Sequence, residues 1–345
     1  MRRHMLRRGI ATAMIAIMLL LSMDAGCISA LAAEPSIPRV ETTETEERAT
    51  GYVDLGLRAP SIKGSNSHGM NLNYATNLPE EYDSRTKGYV TPIRNQNPWG
   101  TCWAFAACAA MESYALAHGL VEHPEDIDLS EYALTFLTFS DNMYYDMTGD
   151  ETLCLDTEYY GFNQGGNDGY VFKTLSKWAG IYTEDGSYEA AKENGITPYV
   201  PKEENRDYIL TGQYYLSMED QDLVKQAIMD HGAVTASYFS DMKYETPDGT
   251  YVYTYDDNTG TNHAIAIVGW DDNKDRTLFY NNGHMPKSNG AWLIKNSWGP
   301  SYGENGYIWI SYEDKILSTS DAVVYEIASR DTYDNVYQHD GANLF

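Results

Sequence analysis

The apolar positions change their spacing several times along the chain, and each change predicts an element. Cys102 to His118 is an Ala-rich helical pattern, and Gly119 stands where a C-terminal glycine would stop it. Asp128-Leu129-Ser130-Glu131-Tyr132 opens a second helical stretch with Ser130 at the N-cap. Val171–Ala179 reads as a third helix ended by Gly180. Ser217-Met218-Glu219-Asp220 makes a capping-box variant ahead of a helix from Gln221 to His231, stopped by Gly232. Strand-like runs are Ala233–Phe239, the apolar stretch that His263 opens, Ala291–Lys295, Tyr307–Tyr312 and Ala322–Ile327. Met143 to Tyr160, rich in Tyr, Asp and Gly, reads as a surface loop. Tyr182 to Tyr208, with Pro198 and Pro201, reads as a loop that crosses between two halves, and Asp241–Thr261 as a loop or hairpin. Helices dominate the first half and strands the second, so the expected class is α+β.

The ends differ from this body. Four arginines precede the apolar run Ile10–Leu21, and Ala30-Leu31-Ala32 offers a small-x-small cleavage site. Residues 1–33 therefore read as a signal peptide, and the run is too short to span a bilayer. A rival reading makes Cys27 a lipidated cysteine, against which Asp24 stands where an aliphatic residue is wanted. Residues 34–77 are polar and irregular, a short prosegment or a linker. The tail 328–345 is polar, either a disordered end or the start of a further module. The formal net charge of −26 over 345 residues argues against nucleic acid or an anionic membrane as partner. It suits a secreted soluble protein, expected to be monomeric. Four cysteines are too few for a disulfide scaffold, and with the form of the leader they suggest a bacterium. Spacing alone leaves a Cys108–Cys154 bridge open.

Cys102 is the residue with chemistry to explain. It sits in the first turn of its helix, where unpaired N–H groups and the macrodipole favour a thiolate. Cys108, further along the same helix, reads as a small buried hydrophobe. A thiolate nucleophile needs a base and a group to orient that base. His263 begins an apolar strand and Asn296 ends another, both far downstream, so the three would meet only in the folded chain. Phe162-Asn163-Gln164-Gly165-Gly166 reads as a turn ahead of a helical run. Asp271-Asp272-Asn273-Lys274-Asp275 has a faint calcium-loop spacing, but Arg276 occupies the position that needs glycine, so it reads as a solvated turn. The segment up to Gly290 reads as an insertion, with His284 a solvated loop histidine.

Gln96 with Cys102-Trp103-Ala104-Phe105, then Asn262-His263-Ala264, then Lys295-Asn296-Ser297-Trp298-Gly299, resembles the papain-type cysteine peptidases over roughly residues 78–315. Leu78–Arg85 resembles their mature start. The resemblance implies a helical lobe over about 78–205, a β-barrel-like antiparallel lobe over about 206–327, and a cleft between them. It implies Cys102 as nucleophile, His263 as general base and later acid, and Asn296 as its orienter. Gln96 would supply an oxyanion donor, Trp298 would cover the His–Asn bond, and Gly165 and Gly166 would pair with substrate backbone. Peptides or proteins are the implied substrates, and no metal or organic cofactor is implied. Many relatives carry a disulfide joining the position of Trp99 to one near Phe162; here an apolar contact would replace it. No trace of a long helical prodomain is present, and a short segment over the cleft stays open. An extracellular endopeptidase is the leading reading. An idle papain-like binding module and another Cys-His acyl-transfer enzyme, such as an amidase or transglutaminase, are the alternatives.

Overall fold

The computed structural model describes residues 48–54, 77–139, 161–176, 180–200, 202–256 and 260–332. The leader with Cys27, most of the segment 34–77, the Tyr-rich loop 143–160 with Cys154, and the tail from 333 lie outside the described residues.

Five helices are described: α1 (Cys102–Ala117), α2 (Glu131–Phe139), α3 (Asp168–Leu175), α4 (Ser187–Asn194) and α5 (Gln221–His231). The predicted punctuation explains their ends. Gly119 takes φ 68° and Leu120 N–H reaches back to Ala115 O, closing α1. Ser130 Oγ accepts from Ala133 N–H at 3.1 Å, capping α2. α3 starts earlier than its apolar spacing suggests because Asn167 caps it through Tyr170 N–H. The cap of α5 is Asp220, which accepts from Leu223 N–H; Ser217 instead ends a strand, so the capping-box reading is corrected. All of α1 except Tyr114 and Ala117 is buried. An Ala-rich helix suits that position, because small side chains let sheet and helices close in on every face.

The strands are β1 (Glu81–Asp83), β2 (Ile181–Tyr182), β3 (Arg206–Ser217), β4 (Val234–Tyr238), β5 (Tyr251–Val252), β6 (His263–Asp271), β7 (Ala291–Lys295), β8 (Tyr307–Ser311) and β9 (Asp321–Ser329). They form one sheet in the order β2-β3-β9-β4-β6-β7-β8-β5, with β1 added beside β6. This is an open path and not a closed barrel, and β5 pairs with β8 in parallel. One region differs from expectation. The supposed crossing loop holds β2, α4 and the start of β3. α4 buries only Tyr188 and Ala191, and β3 has no clean alternation of buried and exposed positions, so neither carries a strong apolar period. The insertion after β6 is a compact turn whose His284 is exposed, as expected, and stacks on Tyr255 at 3.6 Å.

Two cores flank the sheet. α5 packs Leu223, Val224 and Ile228 against Ile265, Ile267 and Trp292. α1 packs Ala107, Met111 and Ala115 among Ala264, Val323 and Ile327. A third, aromatic cluster joins Trp99, Phe105, Tyr132, Phe162 and Tyr188. There Trp99 and Phe162 meet edge to face at 5.4 Å, an apolar contact where many relatives carry the bridge. Cys108 is a buried free thiol, its pKa pushed up first by burial and then by Glu131 and Glu112.

Candidate active site

α1 and two neighbouring strands bring the predicted residues together. β6 and β7 run antiparallel with Ala266 opposite Lys295, so the first residue of β6 lies beside the loop that leaves β7. His263 Nε2 and Asn296 Oδ1 are 2.8 Å apart. Asn296 Oδ1 also accepts from Ser297 N–H, which fixes the carboxamide. Trp298 stacks on the imidazole at 4.3 Å and 19°, and Tyr238 meets its edge at 5.7 Å. The other ring nitrogen, Nδ1, is buried without a hydrogen-bond partner. The next backbone N–H, of Ala264, donates to Cys102 Sγ at 3.4 Å. Gln96 is fully buried. One Nε2 hydrogen goes to Trp99 O at 3.0 Å and Ser297 Oγ donates to its Oε1, leaving a second amide hydrogen.

A buried polar chain that starts at Lys295 and runs beyond the motif ties these elements. Lys295 Nζ donates to Thr91 Oγ1 at 2.6 Å, Thr91 donates to Glu112 Oε2, and Glu112 Oε1 accepts from Leu129 N–H. The helix of Cys102 is thus linked to the strand of Asn296. A carboxylate in mid-α1 is the one signal the sequence offered.

Across this site lies a strap of the protein's own chain, residues 48–54. Ala49 N–H donates to Asn97 Oδ1, and Ala49 O accepts from Trp298 Nε1 at 2.9 Å. Gly51 and Tyr52 N–H both point at Asn262 O, the residue before His263. Gly166 N–H donates to Gly51 O at 2.7 Å, and Val53 N–H donates to Gly166 O at 3.0 Å. Asn167 Nδ2 then takes Val53 O at 2.8 Å. The strap therefore runs from Trp298 past Cys102 to the Gly165–Gly166 turn, where Tyr52 bridges Gly166 in parallel. Close approach demands glycine: a Cβ on Gly51 would lie 1.9 Å from Gly100 O. A Cβ on Gly166 would lie 2.5 Å from the Trp103 ring.

Burial under the strap sets the electrostatics. Cys102 is fully buried, and its thiol is pushed up to about 12 by desolvation, against the N–H groups of Ala264, Gly51, Trp103 and Cys102 itself. His263 is lowered to about 4 by desolvation, opposed by Asn296 and aided by the Arg48 charge. Both shifts favour a neutral thiol and a neutral imidazole. The helix N-terminus alone predicts a thiolate; in the covered cleft the cost of burying charge outweighs it.

The whole arrangement has known counterparts. The papain family cysteine protease model matches residues 78–327. The senescence-specific cysteine protease SAG39 of rice (Oryza sativa) is 28% identical over 258 residues, 75% of this chain and 63% of that protein. Mexicain of Jacaratia mexicana is 31% identical over 242 residues, 67% of this chain and 88% of that protein. Among solved structures, the clostridial cysteine protease Cwp84 after propeptide cleavage superposes with a TM-score of 0.59 at 29% identity, covering 77% of this chain and 62% of that one. The chain thus spans a little under two thirds of the rice and clostridial relatives. With the family model covering most of its length, this chain belongs to the papain family of cysteine proteases.

Proposed function

We propose that the chain is a latent extracellular cysteine endopeptidase that hydrolyses peptide bonds through Cys102, His263 and Asn296. The observation that carries this reading is the 2.8 Å His263–Asn296 contact beneath Trp298, with Ala264 N–H on Cys102 Sγ. Once the strap is displaced and water enters, the thiol can pass its proton to the imidazole. The thiolate attacks the substrate carbonyl carbon. The oxyanion takes the second Gln96 amide hydrogen and Cys102 N–H, each such donor lowering the barrier by about 3 kcal/mol. Imidazolium protonates the leaving nitrogen, the C–N bond breaks, and water, deprotonated by His263, releases the acyl group. Asn296 keeps the ring aimed throughout.

Because His263 must reach the leaving nitrogen, the leaving half of a substrate runs over Trp298 and the acyl half along Gly165 and Gly166. A substrate then passes in the sense opposite to the strap. The strap pairs with the same backbone groups yet offers no carbonyl in the productive direction, which is how it would inhibit without being cut. Residues 34–77 act in this reading as a short prosegment, and 78–327 as the peptidase domain. Export rests on the leader pattern of residues 1–33 and on the similarity to Cwp84, described as a surface layer associated protein of Clostridium difficile. Among the described residues no helix is long and apolar enough to cross a membrane.

The test uses the chain and its Cys102→Ala variant with a fluorogenic peptide library and an epoxide titrant, under reducing conditions. Hydrolysis and one-to-one labelling should occur in the parent and be absent from the variant. Labelling without hydrolysis, even after proteolytic removal of the strap, would favour another acyl acceptor. Neither signal would leave an idle binding module as the better account.

A further inference from the structure

At the Trp298 end of the cleft the strap inserts one charged side chain. Arg48 Nη1 donates to Glu245 Oε2 at 2.6 Å. Its guanidinium carbon lies 4.6 Å from the Tyr302 ring centre and 5.5 Å from that of Trp298. The Glu245 side chain is 1% exposed. Its Oε2 also accepts the Tyr302 hydroxyl at 2.7 Å, and its Oε1 the Ser240 hydroxyl at 3.2 Å.

The walls are built from the rest of the fold. Asn281, in the insertion after β6, donates through Nδ2 to Lys243 O and Glu245 O at 2.9 and 2.6 Å. Asn262 accepts from Ser240 N–H at 2.7 Å and donates to Ser240 O at 3.0 Å, while its own carbonyl holds the strap beside His263. The insertion therefore buttresses a carboxylate next to the catalytic histidine's strand.

We propose that Glu245, Trp298 and Tyr302 form a substrate subsite for arginine on the leaving-group side of the scissile bond, which Arg48 fills in the latent chain. The inference rests on the peptidase reading above. Arg48 is the cation paired with Glu245 among the described residues. When the strap leaves, a carboxylate in an aromatic pocket is faced by two hydroxyls and has lost the cation paired with it among the described residues. That is a costly state, which a basic side chain relieves. A planar guanidinium can stack on the rings and hydrogen-bond the carboxylate at once, whereas a lysine ammonium does only the second. The pocket recognises that group whichever way the backbone runs. Arg48 is three residues before Gly51, which sits against the Cys102 loop, so the selected residue lies within the first three after the cleaved bond.

The test takes internally quenched peptides that share one acyl half and vary in those three residues. They are turned over by the chain after limited proteolysis of the strap, with active sites counted by epoxide titration. At one position kcat/KM should favour Arg over Ala by about tenfold or more, with Lys intermediate. In Glu245→Gln the Arg-to-Ala ratio should fall close to one. No Arg preference in the parent, or an undiminished one in Glu245→Gln, overturns the subsite. A parent that cuts no peptide even after the strap is cleaved sinks the peptidase reading instead. The subsite is then judged, as it also is if Glu245→Gln does not fold, by epoxide labelling of Cys102. Arg48→Ala should speed labelling severalfold and Arg48→Lys less. An unchanged rate in Arg48→Ala overturns the subsite.

Discussion

The two ends of the cleft hold the same strap by different means. At the Gly165–Gly166 end the contacts are mainly backbone to backbone, Asn167 Nδ2 on Val53 O apart, with Gly166 and Gly51 exchanging no side chain at all. At the Trp298 end a single guanidinium enters a pocket of one carboxylate and two rings. The first end can accept almost any sequence in extended form, because every residue carries the same N–H and C=O. The second can discriminate, because its partner must bring a charge and a flat face. One end fixes where a chain lies and the other which chain is preferred.

Three changes would break or sharpen this contrast. The largest effect is expected for Gly51→Ala. Its Cβ would meet the rigid Gly100 carbonyl, and overpacking of about 1–3 kcal/mol should free the strap about tenfold to a hundredfold more often. Epoxide labelling of Cys102 should accelerate to match, and an unchanged rate would show that backbone fit at Gly100 does not hold the strap.

A smaller effect is expected for Gly166→Ala, because the added methyl meets the Trp103 ring, a side chain and not rigid backbone. Denaturant melts should show a loss of about 1–2 kcal/mol. Peptide turnover should fall for all sequences alike, leaving the Arg-to-Ala ratio untouched. A change in that ratio would mean that the two ends are not independent.

A third effect is in acid, where the strap accounts for only one of two buried histidines. The folded pKa of His263 is lowered to about 4 and that of His231 to about 4, in each case first by burial. The unfolded chain therefore binds more protons between pH ~6.5 and ~4, so this stabilisation is full above ~6.5 and is lost as pH falls through that window, up to about 3 kcal/mol per histidine. In Gly51→Ala the strap should no longer bury His263, and the acid-induced drop in Tm should shrink by that share. Equal drops in parent and variant would show that the strap does not set the state of His263.

The residues of the candidate site could be picked out because each stands in a short stretch whose element type is strongly marked. Cys102 opens an Ala-rich helix, His263 opens an unbroken apolar strand, and Asn296 follows Lys295 at the end of another. The glycine pair was legible for the same local reason. The strap was not: Ala49-Thr50-Gly51-Tyr52-Val53 has no helical period, and the seat of Gly51 depends on Gly100, distant in sequence. Glu245 was hidden among the other carboxylates of an acidic, Tyr-rich loop, and only its packing under Tyr302 distinguishes it. β3 and α4 were missed because their stability comes from pairing with β9 and from two buried side chains, not from a period along the chain.

The edge-to-face pair of Trp99 and Phe162 has a consequence for handling and habitat. Both cysteines among the described residues are free thiols, so a reductant that keeps Cys102 competent severs no cross-link there. The wall beside the nucleophile is held by ring packing and needs no oxidising partner to mature. Such a wall keeps its shape in a thiol-rich medium, the conditions in which a sulfur nucleophile survives longest.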